Sequence, residues 1–169
     1  MRTAVLVGVA LLVVVVAGTG LIGTQTVGDV AQRLPFVASS SARQANSEAA
    51  TAAIQQAIQR GNDAQARAIA TRDPSPMAET ATTDYYQELV ETNQDLLDGG
   101  VTAVELLRTE WGPIEVRGNT ATATVYETWR VTFADGTTEE SRERNVYTLV
   151  QSDGAWKIQS DEHPDQQQP

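Results

Sequence analysis

The stretch Thr120–Asp161, TATATVYETWRVTFADGTTEESRERNVYTLVQSDGAWKIQSD, decides the fold. Its first fourteen residues alternate strictly. Ala121, Ala123, Val125, Trp129, Val131 and Phe133 fall on one side, and Thr120, Thr122, Thr124, Tyr126, Thr128 and Arg130 on the other. Period two over that length specifies a strand with one buried face, because successive side chains in a strand point to opposite sides of the sheet. Asp135-Gly136 and Asp153-Gly154 then separate further β-segments at Thr138–Val150 and Ala155–Ser160. Asp-Gly between alternating segments marks a hairpin, since glycine accepts the positive φ that tight turns demand. The carboxyl-terminal third is therefore an antiparallel meander.

Upstream, Val101–Trp111 reads as a long strand that Gly112-Pro113 bends or bulges before Ile114–Val116. Arg117-Gly118-Asn119 turns it into the alternating strand. Earlier still the period changes from two to 3.6. Ala50, Ala53, Ile54, Ala57 and Ile58 recur at helical spacing after Ser47, a capping residue, and Gly61 supplies a stop. A second helical piece is expected over Asp63–Thr71, capped by Asn62 and ended by Asp73-Pro74-Ser75-Pro76. A third is expected from about Ala78 to Leu97, ended by Gly99-Gly100, with Thr80, Thr82 or Thr83 as later starting points. The expected class is α+β: helices packed on a strongly curved, cone-like antiparallel sheet of about four strands.

Residues 4–22, AVLVGVALLVVVVAGTGLI, form an uncharged run close to the roughly 20 residues that span a bilayer as a helix. A membrane anchor and a cleaved signal segment both fit residues 1–23. The length favours the anchor, because a signal peptide's apolar core spans about 7–15 residues, while the small residues at Ala17–Gly20 leave cleavage open. With Arg2 before the run and Arg33 after it offset by Asp29, the amino terminus stays cytoplasmic and the remainder lies outside. The expected address is the cell membrane, single-pass, or secretion if the segment is cleaved. Residues 24–46 read as a tether, 47–162 as the folded domain and 163–169 as a disordered tail.

The chain carries a formal charge of −10, with Lys157 its only lysine. Acidity of this degree disfavours nucleic acid and anionic lipid surfaces, whose recognition needs clustered cations. No cysteine is present, which excludes disulfides, thiol chemistry and lipid attachment through an amino-terminal cysteine. The only histidine, His163, lies in the expected tail, so no histidine metal cluster or familiar triad is expected. No phosphate loop or nucleophile elbow occurs, and neither metal nor cofactor is expected.

One residue interrupts the apolar face of the alternating strand. Glu127 shares the parity of Val125 and Trp129 and should point to the helix-covered side, where a carboxylate is costly unless paired. Two arrangements are open. In the first, a two-residue turn at Asp135-Gly136 sets Arg144 opposite Glu127 and the pair is a core salt bridge. In the second, a three-residue loop, for example Ala134–Gly136, shifts the facing set to Glu143 and Asn145, and the sequence does not choose between the registers. The competing reading of Glu127 itself makes it the polar centre of a pocket with Trp129, Val125 and Trp156. The mixed run Glu139, Glu140, Arg142, Glu143, Arg144 reads as a solvated strand face. Of Tyr85-Tyr86 one ring faces inward. The outward one, taken as Tyr86, is a candidate docking contact.

The order of helices, bent strand, NTATATVYETW (119–129), VYTLV (146–150) and GAWKI (154–158) resembles the nuclear-transport-factor-like, or cystatin-like, α+β superfamily. It looks most like the intermembrane-space-type domain of plastid-division proteins and their bacterial relatives. The resemblance implies a curved sheet around helices, and a cavity that is enzymatic in some relatives and used for docking in others. Glu127, Trp129, Tyr147, Trp156 and Ile158 are the positions that match. For the intermembrane-space type it implies protein–protein recognition. The leading expectation is accordingly a membrane-tethered, extracytoplasmic, non-catalytic interaction module, an accessory of an envelope complex with a protein partner and a homodimer left open. The alternative is a small-molecule binder or weak acid/base enzyme using Glu127. A cavity reaching Glu127 would favour the second, and filling of that space by Trp129, Trp156 and helix side chains the first.

Overall fold

The computed structural model describes residues 36–166. Helix α1 (Phe36–Thr71) is followed by a 3₁₀ turn (Ser75–Glu79) and helix α2 (Thr83–Asp98). Four strands come next, β1 (Val101–Arg117), β2 (Thr120–Phe133), β3 (Thr138–Ser152) and β4 (Ala155–Glu162), and then a short 3₁₀ turn (Pro164–Gln166). The strands form one antiparallel sheet in the order β1-β2-β3-β4, with the two helices packed on one face. This is the expected α+β class. The uncharged run at residues 4–22 lies outside the described residues, among which no helix is long and apolar enough to cross a membrane.

The core lies between α1 and the inward faces of β2, β3 and β4. Ile54, Ala57, Ile58, Ala68 and Ile69 form the buried stripe of α1, and Ala121, Ala123, Val125, Leu149, Trp156 and Ile158 meet that side from the sheet. Burying one such aliphatic or aromatic side chain contributes about 1.5–3 kcal/mol.

Three expectations about the helices are corrected. First, α1 begins at Phe36, so residues 36–46, read as the end of a tether, are helical. Second, α1 runs straight through Gly61. A Cβ there would lie 2.6 Å from Ile158 Cδ1, so the glycine is the gap that admits β4 rather than a stop. The propensity cost of about 1 kcal/mol is outweighed by the isoleucines buried on both sides. Helix α1 ends instead at Arg72, whose φ of 58° is left-handed, just ahead of Asp73-Pro74. Third, α2 opens at Thr83. Residues Thr80–Thr82 are held by the sheet: Ile158 N donates to Thr80 O and Thr82 N to Ile158 O, each at 2.8 Å. Those bonds oppose helical winding there, and Met77 in the preceding turn is buried in the core.

Turn chemistry sets the registers. Thr132 pairs with Thr138 around a three-residue loop, Ala134–Gly136, in which Gly136 has φ 84°. That loop places Glu127 opposite Glu143, and Arg144 opposite Tyr126. The β3–β4 turn is a two-residue one, with Asp153 and Gly154 both at positive φ, as a type I′ hairpin requires. Strand β1 bulges at three places, one of them the expected Trp111/Ile114 step at Gly112-Pro113.

Strand β4 also bulges. Leu149 pairs with Ile158 and Thr148 with Ser160, leaving Gln159 as the extra residue. An inserted residue reverses the parity of everything after it. Trp156 and Ile158 face the core, and so do Asp161 and His163, although plain alternation would turn Ser160 and Glu162 inward. The expected disordered tail from residue 163 is therefore corrected at His163, which is buried. Strand β4 continues to Glu162, and Asp161 and His163 are buried.

Candidate functional site: a carboxylate-floored cavity

Glu127 is fully buried on the inward face of β2 and has no arginine partner. Its carboxylate accepts hydrogen bonds from neutral groups on three elements. Asn62 Nδ2 of α1 donates to Oε1 at 2.6 Å, while Oε2 receives Asn145 Nδ2 of β3 at 2.7 Å, Tyr147 Oη at 3.1 Å and Trp129 Nε1 at 3.2 Å. Tyr147 Oη is also 3.3 Å from Asn62 Oδ1, which ties the α1 and β3 donors to each other. A set of donors converging on two oxygens suits an ionised carboxylate, which only accepts. Burial nevertheless pushes the Glu127 carboxyl upward, as does the nearby charge of Asp161, against the lowering effect of the Asn62, Trp129 and Tyr147 bonds.

A second buried group adjoins the first. His163 sits between two carboxylates, with Nδ1 3.3 Å from Glu143 Oε2 and Nε2 3.4 Å from Asp161 Oδ2. Burial alone would lower the imidazole pKa. The adjoining carboxylates of Asp161 and Glu143 overcome this and raise it to about 10, so His163 is an imidazolium at neutral pH. Burial raises the Asp161 carboxyl, and His163 works against that rise. Tyr85 and Tyr147 are both raised, by burial first and then by the neighbouring acids.

These groups floor a cavity of about 100 Å³. Glu127, Asn145, Tyr147, Asp161 and His163 form its polar end, and Leu96, Val104, Trp129 and Val131 its apolar walls. Four buried polar atoms at the polar end have no hydrogen-bond partner: the acceptors Asn145 Oδ1 and Asp161 Oδ1, and both ring nitrogens of His163, which lie within ion-pair distance of the two carboxylates. Among the described residues no group of three or more His, Cys, Asp or Glu is arranged to hold a metal ion.

Of the residues singled out from sequence, Glu127, Trp129 and Tyr147 meet in this cavity. Arg144 does not. The three-residue loop turns it to the other face, where Nη2 bonds Asp165 Oδ1 at 2.8 Å, and the core salt bridge with Glu127 is corrected to a neutral donor cage. Trp156 is a core residue away from the cavity, and Tyr86 is half-buried, packed against the core cluster, while Tyr85 is the inward ring. Asn62, Asp161 and His163 were not recognised as site residues. Asn62 follows Ile58 by one helical turn, a usable signal once α1 is continuous, but the parity of Asp161 and His163 depends on the bulge.

Two helices laid on a four-stranded antiparallel meander, with a polar-floored cavity between them, define the nuclear-transport-factor-2-like fold. No family model matches the chain and no curated protein matches it. Solved structures do match. The intermembrane-space region of the chloroplast protein ARC6 superposes with a TM-score of 0.55 at 13% identity, over 65% of this chain and 92% of that one. A variant of Rv3472, a protein of unknown function from Mycobacterium tuberculosis, gives a TM-score of 0.51 at 19% identity, over 69% and 71%. A nuclear transport factor 2-like superfamily protein from Salmonella enterica gives 0.49 at 16%, over 67% and 92%. At these identities the likeness is one of fold.

Proposed function

We propose that this domain is a small-molecule-binding module, held outside the cell membrane by the uncharged segment at residues 4–22. The observation that carries the reading is the cavity reaching a buried carboxylate. Trp156 and the α1 side chains fill the core beside it, yet the space over Glu127 remains open, with apolar walls and convergent polar groups at one end. That combination is the usual form of a ligand site. An interaction module without a ligand would be expected to fill this space.

Binding without turnover is the better supported activity. A histidine acting as a general base needs a free ring nitrogen, and the imidazolium of His163, flanked by Asp161 and Glu143, offers none near neutral pH. Glu127 is likewise enclosed by its donors. The test is a ligand-observed NMR screen of small fragments against the domain, repeated with Val131→Trp, which fills the apolar end. Hits that vanish in the filled variant support the pocket, and a screen without hits overturns it.

A further inference from the structure

We propose that the cavity selects a small organic ammonium ion, its charged nitrogen lodged between Asn145 and Asp161 and its apolar part against Trp129 and Val131. This rests on the pocket reading above and adds the class of ligand. The cavity is lined by three acidic side chains, Glu127, Glu143 and Asp161, and by one imidazolium, with no lysine or arginine. With all four ionised the lining carries a formal charge of −2.

Charge alone does not distinguish a site from a solvated acidic cluster, but an independent feature does. Asn145 is 2% exposed, lines the cavity and leaves Oδ1 without a partner. The orientation of its amide is set by the 2.7 Å bond from Nδ2 to Glu127, because the opposite orientation would press two oxygens together. Asp161 Oδ1, on a side chain also buried in the cavity wall, is unpartnered as well. A buried acceptor without a donor is unfavourable. The ring nitrogens of His163 also lack a hydrogen bond, but they lie 3.3 Å from Glu143 and 3.4 Å from Asp161, whereas Asn145 Oδ1 and Asp161 Oδ1 have no donor.

An ammonium supplies what is missing: hydrogen-bond donors and no acceptor, with a positive charge that offsets the excess of carboxylates. Anionic ligands meet repulsion from the three carboxylates Glu127, Glu143 and Asp161. A neutral alcohol can donate one bond and leaves the charge uncompensated. The aromatic walls formed by Tyr85, Tyr147 and Trp129 add a favourable surface for a cation.

Isothermal titration at pH 7 with benzylamine, benzyl alcohol and benzoate tests this, with propylamine, propanol and propionate as a smaller series. In at least one series the amine should bind about tenfold more tightly than the alcohol, and the carboxylate should give no measurable heat. Asp161→Asn, with its fold checked by circular dichroism, should lose most of the amine preference while keeping alcohol binding. If that variant does not fold, Glu143→Gln, at the partly exposed edge of the site, should show a smaller loss in the same direction. Alcohol binding equal to or tighter than amine binding in both series, or an amine preference untouched in the folded variant, overturns the ammonium assignment and leaves the pocket standing. Absence of binding in both series overturns the pocket itself.

Discussion

Asn62 and Glu127 meet at 2.6 Å across a sequence separation of 65 residues, joining the middle of α1 to the middle of the sheet. The bond is one of several, all from neutral donors, that keep a carboxylate buried with no cation in direct contact. Replacing Glu127 with Leu removes the acceptor and leaves Asn62, Asn145 and Trp129 with buried or half-buried donors facing hydrocarbon. We expect Glu127→Leu to destabilise the domain by about 3 kcal/mol, since each orphaned buried donor costs about 1–3 kcal/mol and loss of the desolvated charge returns part of that. Glu127→Gln, which keeps one oxygen, should cost less. Urea unfolding of the two variants checks the order, and a stabilised Leu variant would contradict the donor-cage account.

Gly61 and Ile158 form a second long-range pair. Gly61→Ala places a methyl 2.6 Å from Ile158 Cδ1 in a closed core, and this offsets the gain of about 1 kcal/mol in helix propensity. Ile158→Val deletes that methyl. The double variant should therefore be more stable than the two single changes predict, with a coupling of about 1 kcal/mol in a double-mutant cycle. Additive effects would mean that α1 shifts freely away from β4.

Trp156 is 7% exposed and belongs to the core cluster, so its role is packing. Trp156→Ala should cost about 3–5 kcal/mol through lost burial and the cavity left behind. A loss below about 1 kcal/mol, measured by thermal or urea unfolding, would place the indole outside the core.

The pH dependence of stability follows from His163. Its folded pKa of about 10 lies above the ordinary imidazole value of 6.5, so the folded state holds a proton that the unfolded chain releases. The stabilisation is complete below the unfolded value and is lost as pH rises toward 10. The raised carboxyls of Glu127 and Asp161 act with the same sign over a lower range, making the domain less stable as pH rises through their titration. Between pH 7 and 9 we expect a loss of about 2 kcal/mol in the wild type and a much flatter profile in His163→Gln. The flanking groups that set this response are Glu143 and Asp161. A wild-type profile flat from pH 7 to 9 would contradict a charged, buried imidazole.

The address is checked separately. The full chain should remain in the membrane fraction after alkaline carbonate extraction, and its carboxyl-terminal domain should be cut by protease added to intact spheroplasts. Release into the soluble fraction with full protection would remove the envelope part of the proposal.

What could be read from sequence was local. Thr120–Phe133 shows its alternation without help from neighbours, and the Asp-Gly turns mark the hairpins because positive φ is a property of single residues. What could not be read depended on contacts between distant segments. Gly61 looks like a helix end until Ile158 is seen against it, and Thr80–Thr82 look helical until their hydrogen bonds to Ile158 are known. The partner of Glu127 turned on whether the Asp135-Gly136 loop holds two residues or three, which one turn motif accommodates either way. Charged residues after Ile158 resemble a solvated tail, and only the sheet register reveals that two of them point inward.

The extra residue at Gln159 lets one short strand serve two purposes. Ahead of it, Trp156 and Ile158 are committed to packing, and beyond it Asp161 and His163 are committed to the cavity. Because the frame of inward positions is reset between the halves, substitutions in the distal pair can retune the cavity's charge and hydrogen bonding while the proximal pair keeps its packing. A strand built this way is a junction between a conservative scaffold and an adjustable recognition surface, and variation in ligand preference on this scaffold should concentrate on its far side.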